Sequence, residues 1–283
     1  MSNPTGSFVL TRPWHAVGTL CWREWVRFFR QRNRVVGAIG QPILFWLLFG
    51  AGMQRVFEVE GQSFQEYYFP GTMMLILLFT SIFATISIIE DRREGFLQSV
   101  LVAPVPRWAM VLGKILGATL IGVAQGLVFL LLALTMGIRF TPITGILIAF
   151  WLFLSATGLT ALGFLLAWRM DSTQGFHAIM NLLLMPLWLL SGSFFPIPTL
   201  SAGAGAAQTG MHWVMRCNPV TYAVAGLRHL LYRDMESPPF SGPDGVIWTP
   251  APSQCMLVVV VFALVMVAWA IWQARRHTAG DLK

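Results

Sequence analysis

Glu90-Asp-Arg-Arg-Glu-Gly-Phe-Leu-Gln-Ser-Val-Leu-Val-Ala-Pro-Val-Pro-Arg-Trp108 runs from charged to amphipathic to proline-broken, between apolar stretches at 70–89 and 110–136. A bilayer crossing needs about 20 mostly apolar residues, and both flanking stretches reach that length. Within the quoted segment Phe96, Leu97, Val100 and Leu101 recur at i, i+1, i+4, i+5, which predicts one apolar helical face. Asp91, Arg92, Arg93 and Glu94 stand at its front. Pro104 disfavours helix at the residue before it, so the helix is expected to end by Ala103. A loop that only joined two spans would need none of this. The pattern reads as a coupling helix at the membrane surface, its apolar residues exposed as anchors for a groove on a soluble partner. The plainer reading is a solvated loop whose charges enforce topology.

Working outward, four more stretches qualify as crossings, at 35–53, 143–167, 176–195 and 254–272. The whole chain of 283 residues is 56% hydrophobic and 11% charged, with mean hydropathy +0.66. Soluble domains carry roughly 25% charged residues. Six spans, no soluble domain and no strand pattern predict an all-α polytopic membrane protein. A polar, basic segment 1–34 precedes one six-span domain, 35–272, and a tail of 273–283 follows. Residues 1–34 show no short apolar core with a small-residue cleavage site, so the first span is expected to act as its own insertion signal.

Basic residues set the expected orientation. One side collects Arg12, Arg23, Arg27, Arg30, Arg32, Arg34, Arg92, Arg93, Arg107, Arg169, Arg275, Arg276 and Lys283, with Lys114 just inside span three. The other holds only Arg55, Arg139, Arg216, Arg228 and Arg233. The positive-inside rule places both termini in the cytoplasm. Because these charges flank spans, the net charge of +7 reads as a topology and anionic-lipid signal, not a nucleic-acid one. Cys21 is then cytoplasmic, while Cys217 and Cys255 share the outer side, where a bridge is chemically possible and two free thiols are the simpler reading.

Residues 14–31 predict an amphipathic interfacial helix. Arg23, Arg27, Arg30 and Arg34 cluster on one side of the helical wheel, with Trp14, Cys21, Trp25 and Phe28 opposite. A basic face opposite an aromatic one suits the headgroup layer. Such an elbow would cradle a partner or admit a lipid-like substrate sideways, or merely orient span one. In span three, Gly113–Gly117 and Gly122–Gly126 are small-residue pairs that permit close helix approach, within the bundle or between subunits.

The long outer connection 196–253 is expected to carry re-entrant half-helices. Gly192 to Pro196 must break the fifth span, with Pro198 beyond it. Asn218 then reads as an N-cap with Pro219 at the first helical position. Val220, Val224, Leu227 and Leu231 form a face that leaves Arg228 and Tyr232 off it. A gate at the outer mouth and a simple lid are the two readings. Residues 236–253 read as a plain loop.

No G-x-x-x-x-G-K-[ST] occurs, so no P-loop cradles ATP here. No Asp, Glu, Lys or Arg lies near the middle of a span, which disfavours a proton pathway. No metal-ligand spacing or catalytic carboxylate pair is evident, and His177 and His229 read as structural. Gln125, Asn181 and Ser191 inside spans would line a path or bond neighbouring helices.

Three stretches, in this order and spacing, resemble the permeases of the ABC-2 class of ATP-binding-cassette exporters, near the drug-resistance and lipo-oligosaccharide branch. They are Arg93-Glu94-Gly95 through Leu101-Val102-Ala103-Pro104 with Gly113-Lys114 following, Ser191 to Pro196, and Asn218 to Tyr222. The similarity covers roughly 20–272. Family members often carry Thr and an acid where Phe96 and Gln98 stand, so a less acidic, more apolar docking surface is expected. The resemblance implies two six-span subunits, a homodimer in the simplest form, above two separately encoded P-loop ATPases. ATP and Mg belong to those partners, and no cofactor or metal is implied in this chain. The coupling residues would be Asp91, Arg92, Arg93, Glu94, Gly95, Phe96, Leu97, Val100, Leu101 and Pro104. Gly192, Pro196, Asn218, Pro219 and Tyr222 would form the outer gate. The cargo would be a drug, glycolipid or lipo-oligosaccharide leaving across a bacterial inner membrane. The rivals are an ion-coupled carrier, a polytopic lipid-modifying enzyme and a scaffold without transport.

Overall fold

The computed structural model describes residues 13–53, 64–197, 205–234 and 248–276. Arg12, Arg55, Lys283, Pro198 and most of the expected loop 236–253 lie outside them. Ten α-helices form among the described residues, and no strand. In chain order they are α1 (Pro13–Arg30), α2 (Arg32–Met53), α3 (Phe64–Arg93), α4 (Phe96–Val102), α5 (Arg107–Thr135), α6 (Pro142–Trp168), α7 (Thr173–Trp188), α8 (Ala206–Cys217), α9 (Pro219–Leu231) and α10 (Pro252–Arg276). A π-helical turn, Leu189–Ser193, extends α7.

Six helices are long and apolar enough to cross a membrane: α2 from Val35, α3, α5, α6, α7 with its π turn, and α10. They coincide with the six expected crossings. The chain is therefore an all-α, multi-pass membrane protein. A helix satisfies its own backbone, which is what hydrocarbon demands of a crossing.

α3 is the central post. Its buried residues include Phe64, Tyr67, Tyr68, Phe69, Met73, Met74, Ile76, Leu77 and Ile89, and it packs against α2, α5, α6 and α7. It is longer at both ends than the expected 70–89. Phe64 stacks on Tyr68 with centroids 5.5 Å apart, which adds a buried aromatic turn at the start. At the far end, Glu90 to Arg93 complete the helix instead of opening a loop.

Both glycine pairs of α5 serve contacts inside the chain. A Cβ on Gly113 would lie 2.8 Å from Leu20 Cβ and 3.0 Å from the Val17 carbonyl, and one on Gly117 would lie 2.8 Å from Glu24 Cβ. α1 thus lies directly on the glycine face of α5. Gly126 faces Leu152 and Leu77. Gln125 receives the Thr80 hydroxyl proton in a buried hydrogen bond between α5 and α3. Ser191 donates to the Trp188 carbonyl at 2.5 Å, whereas Asn181 is exposed on α7. Cys21, Cys217 and Cys255 are all free thiols, so the bridge considered between the last two is not formed.

Candidate functional site

The bundle has two polar ends. The first gathers α1, the end of α3, α4 and the start of α5. The expected single helix over 91–103 is divided there. Asp91–Arg93 form the last turn of α3, and the chain turns at Gly95 with φ +74°, a left-handed conformation that costs glycine little. α4 follows for seven residues.

The division changes what the expected docking residues do. Asp91 is 0% exposed and cannot meet a soluble partner. Arg23 grips it with both guanidinium nitrogens, Nη2 to Oδ1 at 2.7 Å and Nη1 to Oδ2 at 3.1 Å. Arg27 Nη1 reaches the same carboxylate at 2.5 Å, and its Nη2 reaches Glu90 at 2.8 Å. Lys114 of α5 donates to Asp91 and, at 3.0 Å, to Glu24 of α1. Glu24, Glu90 and Asp91 are thereby matched by Arg23, Arg27 and Lys114. Matching of this kind, with charge-assisted and bidentate bonds, is the condition under which buried charges persist.

Leu97, expected as an exposed anchor, is also 0% exposed and belongs to the main core. Phe96 lies beneath Arg23, whose guanidinium carbon stands 3.7 Å above the ring centroid. Val100 and Leu101 are half-buried. An apolar face on a seven-residue helix has been spent on the protein itself, and what remains for water is Arg93, Glu94, Gln98, Val102 (85% exposed) and Pro104. Arg92 turns away to the end of α6, donating to the Trp168 and Met170 carbonyls and pairing with Asp171 Oδ1 at 3.0 Å. Arg93 Nε donates to the Asp171 carbonyl at 3.1 Å.

The elbow differs from its helical wheel in the same way. Its buried stripe is Val17, Leu20, Glu24 and Phe28, facing α5. Arg23 and Arg27 point into the protein, not opposite the aromatic residues into headgroups. Trp14 and Trp22 are each 69% exposed, and Trp14 meets Trp108 edge-on at 5.3 Å. Trp25 contacts Phe29 at 5.1 Å, and Arg30 remains exposed. The elbow and the coupling segment, expected as separate devices, form one charge-bonded unit. Sequence reasoning left out Glu24. Its signal was an acid inside a stripe otherwise made of Val17, Leu20 and Phe28.

The second polar end holds the residues expected at the gate. Gly192, with φ +76°, breaks the fifth span after its π turn. Its carbonyl accepts from the Tyr67 hydroxyl at 2.8 Å and from Arg228 Nη2 at 3.3 Å. Asn218 caps α9 by accepting from the Val220 amide at 2.9 Å, while its Nδ2 donates to the Leu187 carbonyl at 2.5 Å. Pro219 opens α9, and the Tyr222 hydroxyl donates to the Arg216 carbonyl at 2.9 Å. Pro196 is half-buried just beyond the break. Val220, Val224, Leu227 and Leu231 form the buried face as expected. Tyr232, expected off that face, is buried too and donates to the Glu66 carbonyl at 2.6 Å. α9 packs against α10, α6, α3 and the π turn, and the broken end of α7 is held by side chains from α3 and α9 and by Asn218 between α8 and α9. No group of metal-binding side chains occurs among the described residues.

Six apolar helices, a short helix after the second and two more between the fifth and sixth describe a multi-pass helical membrane domain. The family of ABC-2 type transporters matches residues 15–232, and the chain belongs to it. It is 24% identical over 275 residues to the inner membrane transport permease YadH of Escherichia coli K12, covering 93% of this chain and 96% of that protein. The Shigella flexneri protein of the same name matches over the same shares. A protein of Cyanophora paradoxa named as a transport permease, ycf38, is 25% identical over 213 residues, or 74% of this chain and 71% of its own.

Proposed function

We propose that the chain is the membrane subunit of an ATP-driven exporter, working as a pair above two separate P-loop ATPase subunits that carry the ATP and Mg. Membership of a transport-permease family supports the class. The observation that carries the mechanism is the α3–Gly95–α4 corner. Its outer edge is exposed, while its inner side is fixed to α1 by Arg23 and Arg27, to α5 by Lys114 and to the main core by Leu97. A push from an ATPase on Glu94, Gln98 and Val102 cannot be absorbed locally. It passes through Asp91 to α1 and α5, and through Arg92 to α6. The cargo is amphipathic or lipid-linked, and movement is outward across a bacterial inner membrane, with both termini in the cytoplasm. An ion-coupled carrier would need a buried group free to change charge, and the buried charges gathered at this end, Glu24, Asp91 and Lys114, are paired.

Co-purification from native membranes tests this. Glu94→Lys and Val102→Asp are expected to weaken ATPase binding roughly thirtyfold, the scale of a hot-spot loss of about 2 kcal/mol. Val102→Asp should melt with the parent because its side chain projects into water, and Glu94→Lys, which gives up an exposed pair with Arg27, should cost no more than about 1 kcal/mol. A chain that purifies alone, or variants that bind the ATPase undiminished, would refute the coupling role.

Thiol labelling tests the orientation. Cys217 is exposed at the α8–α9 end and is expected to react with a membrane-impermeant maleimide on intact cells. Cys21 should react slowly even after lysis at neutral pH. Burial, and then the charge of Glu24, push its thiol up, leaving less of the nucleophilic thiolate. Labelling of Cys217 only after lysis would invert the topology.

A further inference from the structure

We infer that the junction of α1 and α2 is a binding site for the phosphate headgroup of an anionic phospholipid. Residue 31 interrupts the two helices, and the break leaves two adjoining grooves of about 580 and 510 Å³ that share Arg30 and Gln31. The charges around them are not equivalent. Arg23 and Arg27 are committed to Asp91 and Glu90. Arg30 and Arg32 are exposed and meet no carboxylate among the described residues. Glu94, at the far margin of the larger groove, lies 3.6 Å from Arg27, which offsets its charge. The rim is therefore net cationic where Arg30 and Arg32 stand.

The larger groove also carries an apolar strip, Trp22 and Val26, within its charged lining. Trp22, Val26 and Arg30 follow at i, i+4, i+8, and Phe29 adjoins them; the apolar three are 69%, 39% and 45% exposed. An apolar strip ending in cations, one residue ahead of a membrane-crossing helix, fits acyl chain along the strip and phosphate at its end. Gln31 Oε1 is buried without a hydrogen-bond partner, so a polar group is still owed a donor at the break. An acidic protein surface would satisfy the arginines but would leave Trp22, Val26 and Phe29 against water, so lipid is the occupant that fits both halves. The inference rests on α1 lying at the membrane surface and needs neither ATPase nor cargo.

The test uses the full chain in nanodiscs of phosphatidylcholine with increasing phosphatidylglycerol, and native mass spectrometry to count lipids carried on release. The parent is expected to retain phosphatidylglycerol preferentially. Arg30→Gln with Arg32→Gln should lower that preference about thirtyfold, from about 1 kcal/mol per basic residue near a charged surface. Arg93→Gln, exposed and outside the grooves, is the control expected to keep it. Equal retention in the double variant overturns the site, as does equal loss in Arg93→Gln. Unchanged lipid retention with loss of the ATPase would assign the arginines to the partner and also overturn it. Failure of the exporter reading would leave every lipid count unaffected.

Discussion

Asp91→Ala is expected to be among the most damaging single substitutions at the α4 end, costing about 3–5 kcal/mol, because it leaves buried cations uncompensated. Its carboxylate is shared by Arg23, Arg27 and Lys114, and Glu24, Glu90 and the more exposed Glu94 would remain to balance them. The measurement is the melting temperature of the purified protein together with the yield of folded chain in the membrane. Asp91→Asn keeps the shape and removes the charge, so it should fall nearly as far. Lys114→Met combined with Asp91→Asn should recover part of the loss, since removing opposite charges together spares the cost of a lone one. Stability equal to the parent in Asp91→Ala would show that the charges at this corner do not hold it. If enough variant survives in the membrane, ATPase turnover should lose its dependence on transport, because the corner would no longer be tied to α1 and α5.

Gly71→Ala is the second large effect, at the opposite end. A Cβ there would stand 2.6 Å from Ser193 Cβ, 2.9 Å from Ser193 Cα and 3.0 Å from the Ser193 carbonyl oxygen. Two of these are backbone atoms of the π turn, which cannot swing aside as a flexible side chain would. Overpacking of a filled interior costs about 1–3 kcal/mol. Here it also threatens the bond from Trp188 Nε1 to the Gly71 carbonyl at 2.8 Å. A lower melting temperature with faster hydrogen exchange over 188–197 is expected. Adding Ser193→Gly should restore only a part of both, because it removes the nearest atom and leaves the two backbone atoms in place. An unshifted melting temperature in Gly71→Ala would mean that α3 and the π turn are not in contact at this point.

The six crossings were legible because hydrocarbon imposes a simple rule of length and polarity, and α2, α3, α5, α6, α7 and α10 obey it. Asn218 and Pro219 were legible as a helix start because cap chemistry is local. The charged corner was only half legible. A helical wheel groups Arg23, Arg27 and Arg30 on one side, but it does not say whether water, lipid or protein lies there. The answer depends on Asp91 and Lys114, which are 68 and 91 residues away from Arg23 in the chain. No periodicity records such pairings. Counting arginines for topology treated all of them as alike, whereas Arg23 and Arg27 are internal partners and Arg30 and Arg32 are not. Leu97 was misplaced for a related reason. On a seven-residue helix there is one apolar face, and the protein's own core claims it before any visitor does.

The glycine-lined bed for α1 also fixes an order of events during synthesis. The elbow leaves the ribosome well before the surface it rests on, since Gly113 and Gly117 are made about 90 residues later, and Lys114 arrives with them. Until α5 is inserted, Glu24 has no lysine and Leu20 has no groove. α1 is thus among the last helices to settle, and a ribosome stalled before residue 107 would leave it held only by its ion pairs to Glu90 and Asp91, more open to proteases than in the finished bundle.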